Sequence, residues 1–470
     1  MTWVRNGTDV MAQLFRADNS AATGEFLVPS NGYSGLAPDV AMAQDGTFII
    51  TWNGGDIDYR DGIQARMYDA NGSPLAAQFR VNTLASATYH LPAIAVRNDK
   101  SFVIVWMKYG DYTLGNCIYG QRFNAAGAKV GTASFMVSTT TGNYKSDPDV
   151  DIADNGNFVV VWNADNEASS GTPYSTSIWG QRFNAAGTKQ GGQFEIETTY
   201  SSMLGESLLP RVSLSTAGAF VIAWQNFPDA SGWGIWARRY NSAGAAQGND
   251  FRVNTHTANW QVTPDVACDR DGNFTIVWSS YNNPDDPITA DYGIIARSFN
   301  AAGTATTGEY CVNNPGLAHR GIGDQIRPAA CRKAGDGSWV TAWEGKQGVA
   351  PDGGLTGVWH SRTAGNPLPP LAWSLSSPIS GSYARGTVIP IYWWATGVQA
   401  GYTVCLCYTT SPNASDPHWI TIGQIVATNG ASGWGWDTTG AIPGTYYIGG
   451  YIWNGSAPTY AWGASTFILT

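Results

Sequence analysis

The octapeptide GQRFNAAG stands at residues 120–127 and again at 180–187, and ARRYNSAG at 237–244 is a third, worn copy. A word repeated at near-constant spacing marks an array of one supersecondary unit, so the period and count of that unit bound the fold before anything else does. Aligned against itself, the chain gives a unit that begins PDVAMA, turns at QDG and continues as TFIITW. It then passes a variable stretch, resumes as IQARMYDANG and ends FRVNT. Each segment is a short run of alternating or β-branched apolar residues bounded by Gly, Asn, Asp or Pro, which predicts four short strands per unit. The second strand ends in Trp every time, at Trp3, Trp52, Trp106, Trp162, Trp224, Trp278 and Trp343, and this counts seven units.

Four antiparallel strands repeating at a period of about fifty residues or more predict an all-β chain with a seven-bladed β-propeller over residues 1–365, not a solenoid. Composition agrees: charged residues are 13% of the chain, while 21 Trp, 22 Tyr and 56 Gly suit tight turns and aromatic faces. The repeated Trp and the aromatic of QRF, RRY and RSF are expected to pack blade against blade. FNAAG reads as the hairpin between third and fourth strands, with Asn and Gly supplying its backbone angles. The first unit lacks its first strand, and the seventh lacks its fourth unless LAWSL at 371–375 fills that slot. A natural chain of this kind is expected to continue upstream or to close its ring by strand exchange.

After the Pro-rich stretch TAGNPLPP the repeat stops. Residues 371–470 read as about seven strands in roughly one hundred residues, the pattern of an immunoglobulin-like β-sandwich. This module has more Trp than one small core needs, including Trp393, Trp394, Trp434 and Trp436. Those rings serve either packing or a surface-docking face. The six cysteines show no CxxC spacing, so zinc and a dense disulfide framework are poorly supported. Cys268 and Cys331 occupy equivalent places in neighbouring units, which leaves a bridge between them open.

A net charge of −9 offers nothing to a phosphate backbone, which argues against nucleic acid. No apolar run reaches the ~18–20 residues of a membrane span, and MTWVRNGTDV has no signal-peptide pattern. The unit P-x-V-A…DGxFVVxW…QRFNAAG…FxVNT resembles a propeller-type repeat of large secreted or cell-surface bacterial proteins. The C-terminal part is similar to immunoglobulin-like modules appended to bacterial extracellular proteins. The resemblance implies a secreted or surface-displayed protein, with any signal peptide outside this sequence, and it leaves function open. No sialidase-type box and no kelch diglycine stands in register.

Function is sought on the variable loops. The turns QDG, DNG, NAAG and NSAG are short and uniform and belong to one end of the array. The connections NGGDIDYRDG, MKYGDYTLGN, NADNEASSGTPYSTS, QNFPDASGWG and SSYNNPDDPITADYG differ in every copy and belong to the other. Diversity on one end of a regular scaffold is where binding or catalysis is placed. Loops feeding the innermost strands carry Tyr33, Tyr89, Tyr144, Trp260 and His319, with His90 and His256 beside them. Flat apolar faces edged by hydroxyl and imidazole suit an extracellular polysaccharide or cell-surface glycan, so Tyr33, Tyr89, Tyr144, His256, Trp260 and His319 are the candidate ligand-binding residues.

A polysaccharide lyase would draw a base, an acid and a cation from Tyr89, His90, His319, Arg320 and Arg327. A glycosidase would need two facing carboxylates, and Asp56, Asp58, Asp61, Asp111, Asp229, Asp285, Asp286 and Asp291 offer too many to choose from. Calcium is the cofactor such acidic loops could take, although no twelve-residue EF-hand loop occurs and no metal ligand set is assigned. Three readings therefore stand: glycan recognition, a polysaccharide-degrading enzyme, and a structural subunit of a surface layer or filament.

Overall fold

The computed structural model describes residues 1–16, 20–29, 35–55, 61–83, 88–111, 115–139, 144–166, 175–198, 206–229, 232–283, 291–312, 325–332, 339–346, 356–363, 372–375, 382–396, 403–409, 420–426, 430–439, 441–453 and 458–470. All regular structure among them is strand. The chain divides into two compact units, Met1–Ala334 with Ser338–Thr363, and Gly335–Gly337 with Ala364–Thr470.

The first unit repeats one antiparallel sheet. The Trp52 sheet runs Gly35–Met42, Phe48–Gly55, Asp61–Tyr68 and Phe79–Arg80, each strand paired with the next. The Trp106, Trp162, Trp224 and Trp278 sheets follow the same order, with first strands Thr88–Val96, Lys145–Ile152, Glu206–Leu214 and Gln261–Cys268. The Trp3 sheet has three strands, Thr2–Arg5, Asp9–Ala12 and Phe26–Leu27, and the Trp343 sheet has Gln325–Arg332, Trp339–Lys346 and Thr356–Thr363. LAWSL does not supply the Trp343 sheet with a further strand. Ala372–Leu375 pairs instead with Val388–Thr396 and Pro458–Leu469 of the second unit.

Both faces of the Trp52, Trp106, Trp162, Trp224 and Trp278 sheets are covered, as the blades of a propeller are. Successive side chains point to opposite faces, so Ile104 and Trp106 join a core shared with the Trp52 sheet, while Val103 and Val105 join one shared with the Trp162 sheet. Trp52, Trp106, Trp162, Trp224 and Trp278 are fully buried in such shared cores, whereas Trp3 is half-buried. Opposite each other in register stand Phe48 and Tyr68, Phe102 and Phe123, Phe158 and Phe183, Phe220 and Tyr240, and Phe274 and Phe299. Their rings stack at 4.6–4.9 Å. The outer-strand ring of one sheet closes onto the pair of the next, as Phe79 does on Phe123 at 5.5 Å.

Polar ties reinforce these cores and explain the repeated words. Arg122 Nη1 donates to the Ala186 carbonyl of the next sheet's NAAG turn, Arg182 donates to Ser242 and Ala243, and Arg239 donates to Ala301. Gly187, Gly244 and Gly303 have φ of +80° to +82°, and an added Cβ at each would strike Arg122, Arg182 and Arg239 respectively. GQRFNAAG is therefore a hairpin and also a connector between sheets. The Asp of PDV is a second tie. Asp39 accepts the Ile94 N–H at 2.9 Å, Asp149 that of Val212 at 2.7 Å and Asp265 that of Ala330 at 2.6 Å, each in the next first strand. Cys268 and Cys331 are in no disulfide, so the bridge left open by their spacing does not form; the Cys268 thiol donates instead to the Ser213 carbonyl at 3.3 Å.

In the second unit Val388–Thr396 pairs with Ala372–Leu375 and Gly430–Asp437, while Thr403–Thr409 pairs with Ile420–Val426 and Gly444–Trp453. Pro458–Leu469 pairs with Gly444–Trp453, and runs parallel to Ala372–Leu375 and Ser382–Tyr383. Ile389, Ile391, Leu406 and Leu469 are fully buried or nearly so.

Candidate functional site on the loop-rich end

The first strands share a local irregularity that shapes this end. One residue before their Pro, Ala37, Leu91, Asp147, Leu209, Thr263 and Arg327 take φ of 45–54°, and the register with the second strand shifts there in every case. A bulge re-aims the backbone at the strand's start, and in two units the residue after the repeated Trp reaches across to the bulge of the next sheet. Gln225 Oε1 accepts the Thr263 N–H at 2.8 Å, and Ser279 Oγ accepts that of Arg327 at 3.1 Å. Asn53 Nδ2 lies 3.5 Å from His90 Nδ1, and Glu344 pairs with the exposed Arg327 at 3.3 Å. The position after Trp is polar at Asn53, Asn163, Gln225, Ser279 and Glu344 and apolar at Val4 and Met107, and at Gln225 and Ser279 it is buried and ties one sheet to the next; the sequence reading missed it because the neighbouring Trp carried the pattern.

Of the sequence-derived residues, Tyr33, His319 and Arg320 lie outside the described residues, as do Asp56, Asp58, Asp285 and Asp286. Tyr89 is 3% exposed and belongs to the core between the Trp52 and Trp106 sheets, where burial holds its hydroxyl pKa above the usual value. Its ring is a packing ring, not an open platform. His90 is the next residue of the same strand and points elsewhere: it is half-buried, with its ring 6.4 Å from that of Tyr109. The pair drawn together by sequence is therefore not convergent in space.

Tyr144 and Trp260 are 49% and 52% exposed. His256 donates its backbone N–H to Glu309 Oε1 at 3.1 Å, while its Nε2 is buried without a hydrogen-bond partner. Glu309 also accepts from Thr255 Oγ1 at 2.7 Å and Asn283 Nδ2 at 3.3 Å, and so fixes the strand-to-strand loop that carries Trp260.

Around Trp260 the structure assembles aromatics that were not singled out by sequence. Trp260 seats against Gly232, where an added Cβ would stand 2.6 Å from Trp260 Cδ1 and 2.5 Å from the Asn259 carbonyl oxygen. The adjacent Trp233 lies 5.4 Å from Phe227 across the hairpin of the Trp224 sheet. On the other side the Trp260 carbonyl accepts the Tyr281 N–H at 2.9 Å, and Tyr281 meets Tyr292 at 5.2 Å. Asn259 and Asn282, at φ of 64° and 51°, turn the backbone immediately before Trp260 and after Tyr281. The available signal was an aromatic at the end of the second strand and the start of the third in QNFPDASGWG and SSYNNPDDPITADYG.

Deeper along the first strands lies a set of titrating carboxylates. Burial pushes Asp39 up to about 6 and Asp151 and Asp265 up to about 7, and it raises Asp149 as well; backbone N–H donors oppose the shift in all four. Arg211 lowers Asp39, Asp149 and Asp265, while the Asp149 charge raises Asp39, Asp151 and Asp265, so these groups sit within electrostatic reach of one another. Glu197 stands where other units have Asn82, Ser138 or Asn254, and burial takes it to about 7. Among the described residues no group of three or more His, Cys, Asp or Glu is placed to hold a metal ion, and no helix is long and apolar enough to cross a membrane.

No family model matches the chain, and no curated protein matches it. Solved structures similar to it include a protein of unknown function from Dyadobacter fermentans and an α-L-arabinanase of Penicillium chrysogenum complexed with arabinobiose. Each has a TM-score of 0.47 and 12% identity, covering 72% of this chain and 96% of that one. An α-L-arabinofuranosidase of Fusarium graminearum is similar at a TM-score of 0.45 and 10% identity, covering 72% of this chain and 95% of its own.

Proposed function

We propose that the protein is a secreted or surface-displayed seven-bladed propeller that recognises an extracellular glycan through its loop-rich end. The observation that carries this reading is the contrast between the two ends. At one end the Arg-to-turn ties consume the polar groups of uniform hairpins. At the other, variable loops present Tyr109, Tyr144 and Trp260, each about half exposed. Sugars offer C–H faces to such rings. Seven blades are supported by the electrostatic reach between the Met1 ammonium, at the start of the Trp3 sheet, and Cys331 of the Trp343 sheet.

An immunoglobulin-like second unit is supported by its strand pairing and by Tyr446, whose hydroxyl bonds back to the Ile442 carbonyl, as the tyrosine corner of such sandwiches does. A glycoside hydrolase on the same end is the second reading. It is favoured by Asp39, Asp151 and Asp265, since a carboxyl with a pKa near 6–7 can act as a general acid. Each of these, however, already accepts an N–H from the next sheet.

A glycan array on the full chain, run beside reducing-end release and 235 nm absorbance assays, tests the proposal. Glycan retention without product is the expected result. Released sugar ends would replace recognition by hydrolysis, and silence in every assay would leave the structural-subunit reading.

A further inference from the structure

We infer that a cleft between the Trp106 and Trp162 sheets, on the end that carries the short uniform turns, binds a small amphipathic carboxylate on Arg122. This site stands apart from the glycan reading, which concerns the other end. The cleft has a volume of about 200 Å³, below the range of sites for drug-sized ligands, and suits one ring or a short alkyl chain. Its charged lining residues are Arg97, Asp99 and Arg122, and Val130 and Ile152 give it an apolar wall. Asp99 pairs with Arg97 at 2.7 Å, and Arg97 gives Nη2 and Nε to the Asp154 carbonyl at 2.7 and 3.2 Å. That pair brings no net charge to the cleft. Arg122 does.

Arg122, Arg182 and Arg239 hold the same place in three successive sheets, and each ties to the turn of the next. Arg182 gives Nη1 to Ala243 and Nη2 to Ser242, and Arg239 gives Nη1 to Ala301 and Nη2 to Gln247. Arg122 gives Nη1 alone, to Ala186, and its Nε and Nη2 donate to no group among the described residues. The Gly187 turn packs against Cδ, Cζ and Nη1 of Arg122, which leaves the opposite Nε–Nη2 edge unshielded by that turn. Such an edge clasps a carboxylate through two parallel N–H bonds, and the half-buried setting of Arg122 strengthens the pair. Val130 stands opposite Arg122 in register, whereas Gln190 and Gln247 hold that place in the following two sheets. The unspent fork and the apolar wall therefore occur together. A planar anion with an apolar tail meets both, while sulfate or phosphate meets the fork alone.

The test is a ligand-observed NMR titration of the full chain with benzoate and hexanoate, beside acetate and neutral benzamide, with inorganic sulfate as competitor. Benzoate or hexanoate should bind saturably and about tenfold more tightly than acetate, through burial of the tail. Arg122→Gln should weaken that binding about tenfold or more, as loss of a charge-assisted pair does. Arg182→Gln removes the same kind of tie from the next junction and should leave the binding unchanged. Should either variant fail to fold, modification by phenylglyoxal, read by peptide mass spectrometry, answers on the unaltered chain: benzoate should protect Arg122 and not Arg182. Equal protection of the two, or none, would overturn the site, as would binding indifferent to Arg122. Benzamide binding as tightly as benzoate would overturn the carboxylate, and acetate or sulfate doing so would overturn the apolar wall. No binding of either acid at millimolar concentrations would overturn the proposal as a whole.

Discussion

Replacing Asp265 by Asn should stabilise the first unit at neutral and alkaline pH and do so less as the pH falls. The carboxylate accepts the Ala330 N–H at 2.6 Å and the Val266 N–H at 2.9 Å, and burial raises its pKa from 3.8 to about 7 against the pull of Arg211. A raised folded-state pKa means that the native state binds this proton more tightly than the unfolded chain. The contribution is therefore fully present below about pH 4 and is lost as pH rises through about 7. At about 1.4 kcal/mol per pH unit, the interval sets a ceiling of about 4 kcal/mol. The Asp265 residue as a whole keeps partial solvent exposure and shares Arg211 with Asp39 and Asp149, so about 1–2 kcal/mol is the expected gain. Asn retains an acceptor for Ala330 and removes the charge, while its Nδ2 faces the Val266 N–H, a loss that is the same at every pH and leaves the gain with rising pH as the signature. Thermal midpoints of both proteins from about pH 4.5 to about 8.5 would show the variant gaining with pH. A variant destabilised equally across that range would refute the reasoning and make the carboxylate a needed partner of Arg211.

Two further outcomes are expected. Gly244→Ala combines φ of +81° with a clash against Arg182, and should lower first-unit stability by more than the ~1–2 kcal/mol of a left-handed alanine alone, as read by urea denaturation. Tyr446→Phe removes the hydroxyl bond to Ile442 and should cost the second unit about 1 kcal/mol, visible as an earlier melt of expressed residues 371–470.

The repeat made the sheets legible, because turn residues and apolar alternation act within a few residues of each other: the second-strand Trp and the NAAG hairpin stand as the sequence predicts. The ties between sheets were not legible. Arg182 and Ala243 are 61 residues apart and Asp149 and Val212 are 63 apart, so no local pattern pairs them. Tyr89 shows the opposite error. Grouping it with the loops made it a ligand residue, whereas its place as the second residue of Thr88–Val96, on the core-facing side of the alternation, makes it a core ring. The surroundings of Trp260 lay hidden because Gly232, Trp260 and Tyr281 come from three separate segments.

The direction of the ties bears on how such an array can change length. A unit such as residues 206–254 holds both the Arg239 that reaches forward to the next turn and the turn carbonyls at Ser242 and Ala243 that receive Arg182 from behind. It likewise holds Arg238, which grips the Ile196 carbonyl of the previous sheet. The Trp162 and Trp224 copies are thus a plug and a socket in one piece, whereas Met67 and Ser298 stand at the Arg position of the Trp52 and Trp278 copies, so a tandem duplication of an Arg-bearing segment creates a complete new joint without a compensating substitution. Chemistry sets no limit on the number of copies. What limits it is geometry: the angle that the shared aromatic cores impose between one sheet and the next decides how many copies fit before the ring meets its own beginning.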